Sequence, residues 1–123
     1  MKEESLIASK SFQFALKIIR LYQSLTVGHK EFVMSKQLLR SGTSIGANVA
    51  ESGAAYSKKE FEFKLSIAYK EARETSYWLR LIFASHYLNE SNFIELKRDI
   101  EELQKLIGST LVTLRKQQKT LNS

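Results

Sequence analysis

The sequence predicts an all-α domain, an antiparallel up-and-down four-helix bundle. Three observations predict it. No proline interrupts the 123 residues, and proline is the residue that most disrupts helices. Four stretches repeat apolar residues at helical spacing. Short polar or glycine-bearing segments separate them, as antiparallel neighbours require. The length suits one domain over residues 1–123, without internal repeat or linker.

The first helix, expected at about residues 5–25, aligns Phe12, Ala15, Leu16, Ile19 and Tyr22 on one face. Thr26 to Lys30 connects it onward, with Gly28 as the expected C-cap. The second, at about 31–55, aligns Leu38, Gly42, Ile45, Val49 and Gly53, with Tyr56 next in line. Gly42, Gly46 and Gly53 each cost about 1 kcal/mol of helix propensity relative to alanine, so close approach by a neighbour is expected there. A phosphate loop across Ser41 to Gly46 is the weaker reading, because no lysine and hydroxyl residue follow the second glycine.

The third helix, at about 58–87, starts at the clearest signal. Ser57-Lys58-Lys59-Glu60 is a capping box, with Ser57 as N-cap and Glu60 reaching back. Phe61, Leu65, Ala68, Ala72, Leu79 and Phe83 mark its face. Asn89 to Asn92 breaks the pattern and offers N-caps to the fourth helix, at about 92–118. There Leu96, Ile100, Leu103, Ile107, Thr110 and Leu114 follow a heptad seam.

Two helices are apolar on more than one side. Phe14, Ile18, Leu21 and Leu25 form a second stripe on the first helix. Phe63, Ile67, Trp78 and Leu81 lie opposite the marked face of the third. A monomeric bundle needs one stripe per helix, so homo-oligomerisation is the expected explanation. Tyr69, Tyr77 and Trp78 are the interface candidates, since aromatic residues anchor interfaces. Ordinary core or boundary positions are the other reading.

Composition narrows the chemistry. There is no cysteine, and His29 and His86 are the only histidines. Disulfides, thiolate metal sites and histidine-rich sites are thereby excluded. No glutamate has a histidine three residues later, which excludes the carboxylate-bridged di-iron bundle pattern. No nucleophile-and-base motif stands out, so no enzyme, cofactor or metal is expected. No apolar run approaches the roughly 18 residues of a membrane span. Met1 to Ser5 lacks the features of a signal peptide, and a cytoplasmic location is expected.

Net charge is +6 and the isoelectric point is near 9.6, which favours polyanionic partners. The candidate nucleic-acid-binding residues are Lys10, Lys17 and Arg20 on the first helix, Lys58 and Lys59 at the start of the third, and Arg115, Lys116 and Lys119 on the fourth. A solvated basic surface is the alternative. No signature of a sequence-specific nucleic-acid fold is present. Arg40, Ser44, Asn48 and Glu51 share one face of the second helix, and Glu74 could meet them. An inter-subunit network, a ligand strip and a solvated face all fit that pattern.

Two blocks carry a resemblance. Leu39-Arg40-Ser41-Gly42-Thr43-Ser44-Ile45-Gly46-Ala47-Asn48-Val49-Ala50-Glu51-Ser52 resembles the central signature of the small bacterial four-helix bundle family named for open reading frames inside 23S ribosomal RNA intervening sequences. The block from Phe61 to Thr75 resembles its second conserved segment, with Lys70-Glu71 where many members have Gly-Ser. The resemblance implies an antiparallel four-helix bundle assembled into a ring-like homopentamer. It also implies kinship with the accessory protein of diversity-generating retroelements, a basic pentamer that associates with a reverse transcriptase and nucleic acid. Carried onto this chain, the motif residues are Arg40, Ser44, Asn48, Glu51 and Glu74, in a structural or interface role. RNA or nucleoprotein is the partner this suggests. The alternative is a protein-interaction scaffold, with Phe63, Tyr77 and Trp78 as its contact residues.

Overall fold

The computed structural model describes residues 2–122, and the side chains of residues 6–120. It contains α1 (Lys2–Gln23), a π-turn (Ser24–Gly28), α2 (Met34–Ser52), α3 (Lys58–Ala84) and α4 (Glu90–Asn122). Each helix packs on the next, and α4 returns to α1. This closes a four-helix bundle in which α1 and α3 occupy opposite corners. No helix among the described residues is long and apolar enough to cross a membrane.

The second stripe of α1 faces the core, not the first. Ile7, Phe14, Ile18, Leu21 and Leu25 are buried, whereas Phe12 is 62% exposed and Ile19 is also exposed. Periodicity cannot choose between two apolar stripes, but partners on neighbouring helices can. In the observed rotation Lys10 and Lys17 flank α4 and meet its carboxylates. Ile18 simultaneously lies over Gly42 of α2.

The α1–α2 connection differs from the expected glycine cap. Lys30, not Gly28, takes the left-handed conformation, at φ 53°. The Glu31 N–H then closes on the Leu25 carbonyl at 2.9 Å. Glu31 lies before α2 and caps it, rather than opening it. Its carboxylate accepts from the N–H groups of Val33, Met34 and Ser35 at 3.1, 2.8 and 2.8 Å. Those donors have no partner within the helix, and an anion there suits the helix dipole. Burial pushes the Glu31 carboxyl up, but the backbone donors outweigh it and hold it below the usual range.

At its far end α2 is shorter than expected. Gly53 is an exposed cap whose N–H reaches the Val49 and Ala50 carbonyls. Tyr56 lies beyond it, 97% exposed, rather than on the packed face. Leu38, Gly42, Ile45 and Val49 are buried as the spacing predicts.

On α3, Ser57 accepts from the Glu60 N–H at 3.1 Å, as the capping box requires. The Glu60 carboxylate reaches one residue further back, to the Tyr56 N–H at 2.9 Å. Leu65, Ala68, Ala72 and Leu79 are buried, joined by Thr75 and Ile82, which the marked face omitted. The hydroxyls of Thr75 and Ser41 hydrogen-bond each other at 2.9 Å between α3 and α2. His86, at φ 68°, ends α3 with the reversal that usually takes glycine.

Asn89 caps α4 by accepting from the Asn92 N–H at 2.8 Å. Leu96, Ile100, Leu103 and Ile107 are buried. One step later Leu111 is buried where the heptad placed Thr110. A straight helix of 3.6 residues per turn drifts from a 3.5-residue repeat, and the core face follows the helix.

Candidate nucleic-acid interface

The predicted basic residues separate into different environments. Lys10 pairs with Glu102 at 2.7 Å. Lys17 pairs with Asp99 at 2.6 Å and Glu95 at 3.0 Å. Its hydrogen bonds to those two carboxylates hold the ammonium above the usual lysine range. Both lysines thus have their charge compensated across the α1–α4 seam. Arg20 shares their side of α1 and stays exposed. Arg115 is held by Glu62 of α3 at 3.1 Å.

The fold does unite the remaining cluster. The start of α3 and the last turns of α4 meet at one end of the bundle. Lys58 and Lys116 line a shared depression of about 500 Å³, with Thr113 and Gln117. Lys59 and Lys119 are exposed neighbours in sequence.

A second basic surface lies on the α3–α4 seam, and reading along the chain does not single it out. An open groove of about 990 Å³ has Lys70 and Arg73 on one bank and Lys105 and Arg115 on the other. No carboxylate lines it. Gly108 lets Tyr69 lie close across the seam, where an added Cβ would be 3.3 Å from the ring. The signal was present only as positions three to four residues apart on two separate helices.

The polar strip of α2 resolves into local bonds and one cross-helix network. Ser44 Oγ donates to the Arg40 carbonyl at 2.6 Å, and Asn48 Nδ2 to the Ser44 carbonyl at 2.8 Å. Glu51 faces Lys64 at 3.6 Å. Arg40 reaches α3, donating to Glu71 at 3.1 Å and to Glu74 at 2.5 Å. Glu74 also accepts from Trp78 Nε1 at 3.0 Å, and Tyr77 stands edge-on to Trp78. The Trp78 and Arg40 donors hold the Glu74 carboxyl below the usual carboxylate range. Part of the strip is therefore a seam between helices, and part is a set of bonds to its own helix.

A family model, described as 23S rRNA-intervening sequence protein, matches residues 3–109. The chain belongs to the 23S rRNA-intervening sequence protein family. No curated protein matches it. It is similar to a crystallised protein of unknown function from the S23 ribosomal protein family of Bacteroides thetaiotaomicron. Identity is 45%, the match covers 89% of this chain and 97% of that one, and the TM-score is 0.87. In this member of the 23S rRNA-intervening sequence family, the signature residues Arg40 and Glu74 tie α2 to α3.

The network gives a spectroscopic handle, because Trp78 is the only tryptophan. Glu31 and Glu74 both have lowered pKa values when folded. The unfolded chain takes up their protons first. The stability they contribute is therefore present above the ordinary glutamate range and lost as pH falls through their folded values. Trp78 emission should change in acid with a midpoint below that range, and Arg40→Ala should move the midpoint upward. An unmoved midpoint would mean that Arg40 and Glu74 do not pair in solution.

Proposed function

We propose that this protein is a non-enzymatic, cytoplasmic homo-oligomer that binds RNA, as a pentamer of the kind its family resemblance implies. One observation carries the binding reading. Among the residues whose side chains are described, every carboxylate except Glu90 is committed to an ion pair within the chain or to a helix cap. Exposed cations including Arg20, Lys58, Lys59, Lys116 and Lys119 have no such partner. A large anion would therefore meet a predominantly cationic surface, and neutralising phosphates would release counterions.

Assembly is supported by apolar surface left over after the core is filled. Ala8, Ala15, Gly46, Ala47 and Ala50 line a recess of about 540 Å³ beside exposed Phe12. Phe63, 60% exposed, and Tyr77 project from α3 at the opposite corner of the bundle. Unlike faces on opposite corners form head-to-tail contacts, which close into rings when the rotation allows.

The test uses nuclease-treated protein of mass checked by light scattering. It is titrated with structured RNA and duplex DNA between about 50 and 200 mM salt. The expected result is a mass near 70 kDa, five chains of 14.1 kDa, and RNA affinity that falls steeply with salt. Absence of binding at the lowest salt would remove RNA as the partner. The scaffold reading would then stand on exposed Phe63 and Tyr77.

A further inference from the structure

An open groove on the described surface shares only Arg115 with the clusters that the sequence singled out. It runs along α3 and α4, and its banks carry Lys70, Arg73, Lys105 and Arg115. Arg115 is engaged by Glu62, and among the described residues the other three have no carboxylate partner. Lys70 and Arg73 are one turn apart on α3, a rise of about 4.5 Å. Lys105 faces them from α4. Ser66, Ser109 and Thr113 add hydroxyls between the banks.

The recess has a structural origin. Gly108 and the small residues beside it lower one bank, and Tyr69 leans over Gly108. The depression beside Lys58 and Lys116 is smaller, with two cations on its lining. Lys10 and Lys17 are already neutralised across the α1–α4 seam. The groove thus brings three uncompensated cations together with hydroxyl donors in a concave surface, where the bundle-end depression has two.

We propose that the α3–α4 groove is the track for an RNA phosphodiester backbone, held by Lys70, Arg73 and Lys105. This rests on the RNA-binding reading and names its site. The lining favours backbone contact over base reading. Its charged groups are phosphate donors, and the Gln104 amide already donates to the Ala72 carbonyl at 3.4 Å. Binding through this groove is therefore sequence-tolerant.

The experiment compares K70Q/R73Q/K105Q with K58Q/K116Q/K119Q, which carries the same loss of charge at the bundle end. Both are titrated with RNA homopolymers, alongside wild type, over a salt series. Light scattering and thermal melting confirm assembly and folding. The groove variant is expected to lose about tenfold or more in affinity at low salt. Its log–log salt slope should flatten by about two, at roughly 0.7 per phosphate contact removed. The end variant should change much less. Equal loss in both variants would overturn the groove as a site in favour of diffuse charge. Loss in the end variant alone would overturn it in favour of the bundle end. Failure of wild type to bind any RNA would remove the binding reading itself. Ultraviolet cross-linking of unaltered protein supplies a measurement independent of substitution. Adducts in residues 62–73 and 104–115 support the groove, and adducts confined elsewhere overturn it.

Discussion

Gly42→Leu is expected to destabilise the bundle by about 3 kcal/mol or more, and Gly42→Ala by about 1–2 kcal/mol. A Cβ at Gly42 would sit 2.9 Å from both Cγ1 and Cγ2 of Ile18, and 3.3 Å from its Cβ. Ile18 is fully buried and β-branched, so its χ1 is restricted and it cannot swing aside. Separation of α1 from α2 is the remaining relief, and that loosens the core. Overpacking costs typically 1–3 kcal/mol, while alanine regains about 1 kcal/mol of helix propensity. At Gly42 the clash outweighs the propensity.

The neighbouring glycines supply the contrast. At Gly46 an added Cβ meets the Ser11 carbonyl at 3.4 Å, an ordinary contact, and at Gly28 it meets nothing within 4 Å. Neither has a positive φ. Gly46→Ala and Gly28→Ala should therefore be neutral or stabilising by up to about 1 kcal/mol. Urea unfolding of the three alanine variants decides the matter. A Gly42→Ala protein as stable as wild type would show that α1 does not press on α2 at this point.

The same position shows what can be read along a chain. Spacing identified Leu38, Gly42, Ile45 and Val49 as a packed face, and they are buried. It could not show that Gly42 alone among the helix-two glycines lies under a rigid side chain. That fact belongs to α1, some two dozen residues away. The caps at Ser57 and Asn89 were legible because hydroxyl and amide side chains mark them in the sequence, whereas the Glu31 cap of α2 and the reversal at Lys30 carry no such mark. The orientation of α1 was not legible, because both stripes are apolar. It is fixed by partners such as Asp99, which is 82 residues from Lys17. The fate of the basic residues follows from that rotation. Lys10 and Lys17 look free in sequence and are paired in the bundle, while Lys70, Arg73 and Lys105 converge only when α3 and α4 pack.

In the homo-oligomer proposed above, Ala47→Arg is expected to leave folded monomers of 14.1 kDa. Ala47 is exposed on α2 and lines the recess beside Phe12. Arginine is nearly as good a helix former as alanine, so the fold itself should be little affected. In the assembly its guanidinium would occupy an apolar recess, where an unpaired charge is costly. Phe63→Asp should have the same effect from the opposite corner. Mixing the two variants distinguishes the geometry. In a head-to-tail contact, each variant keeps the face that the other has lost. One intact interface can then form, and the mixture should stop at a dimer of about 28 kDa. If the contact instead joined two copies of the α1–α2 face, Phe63→Asp would assemble normally. Multi-angle light scattering on the mixture separates these outcomes. A full-size oligomer from Ala47→Arg alone would remove the recess from the interface.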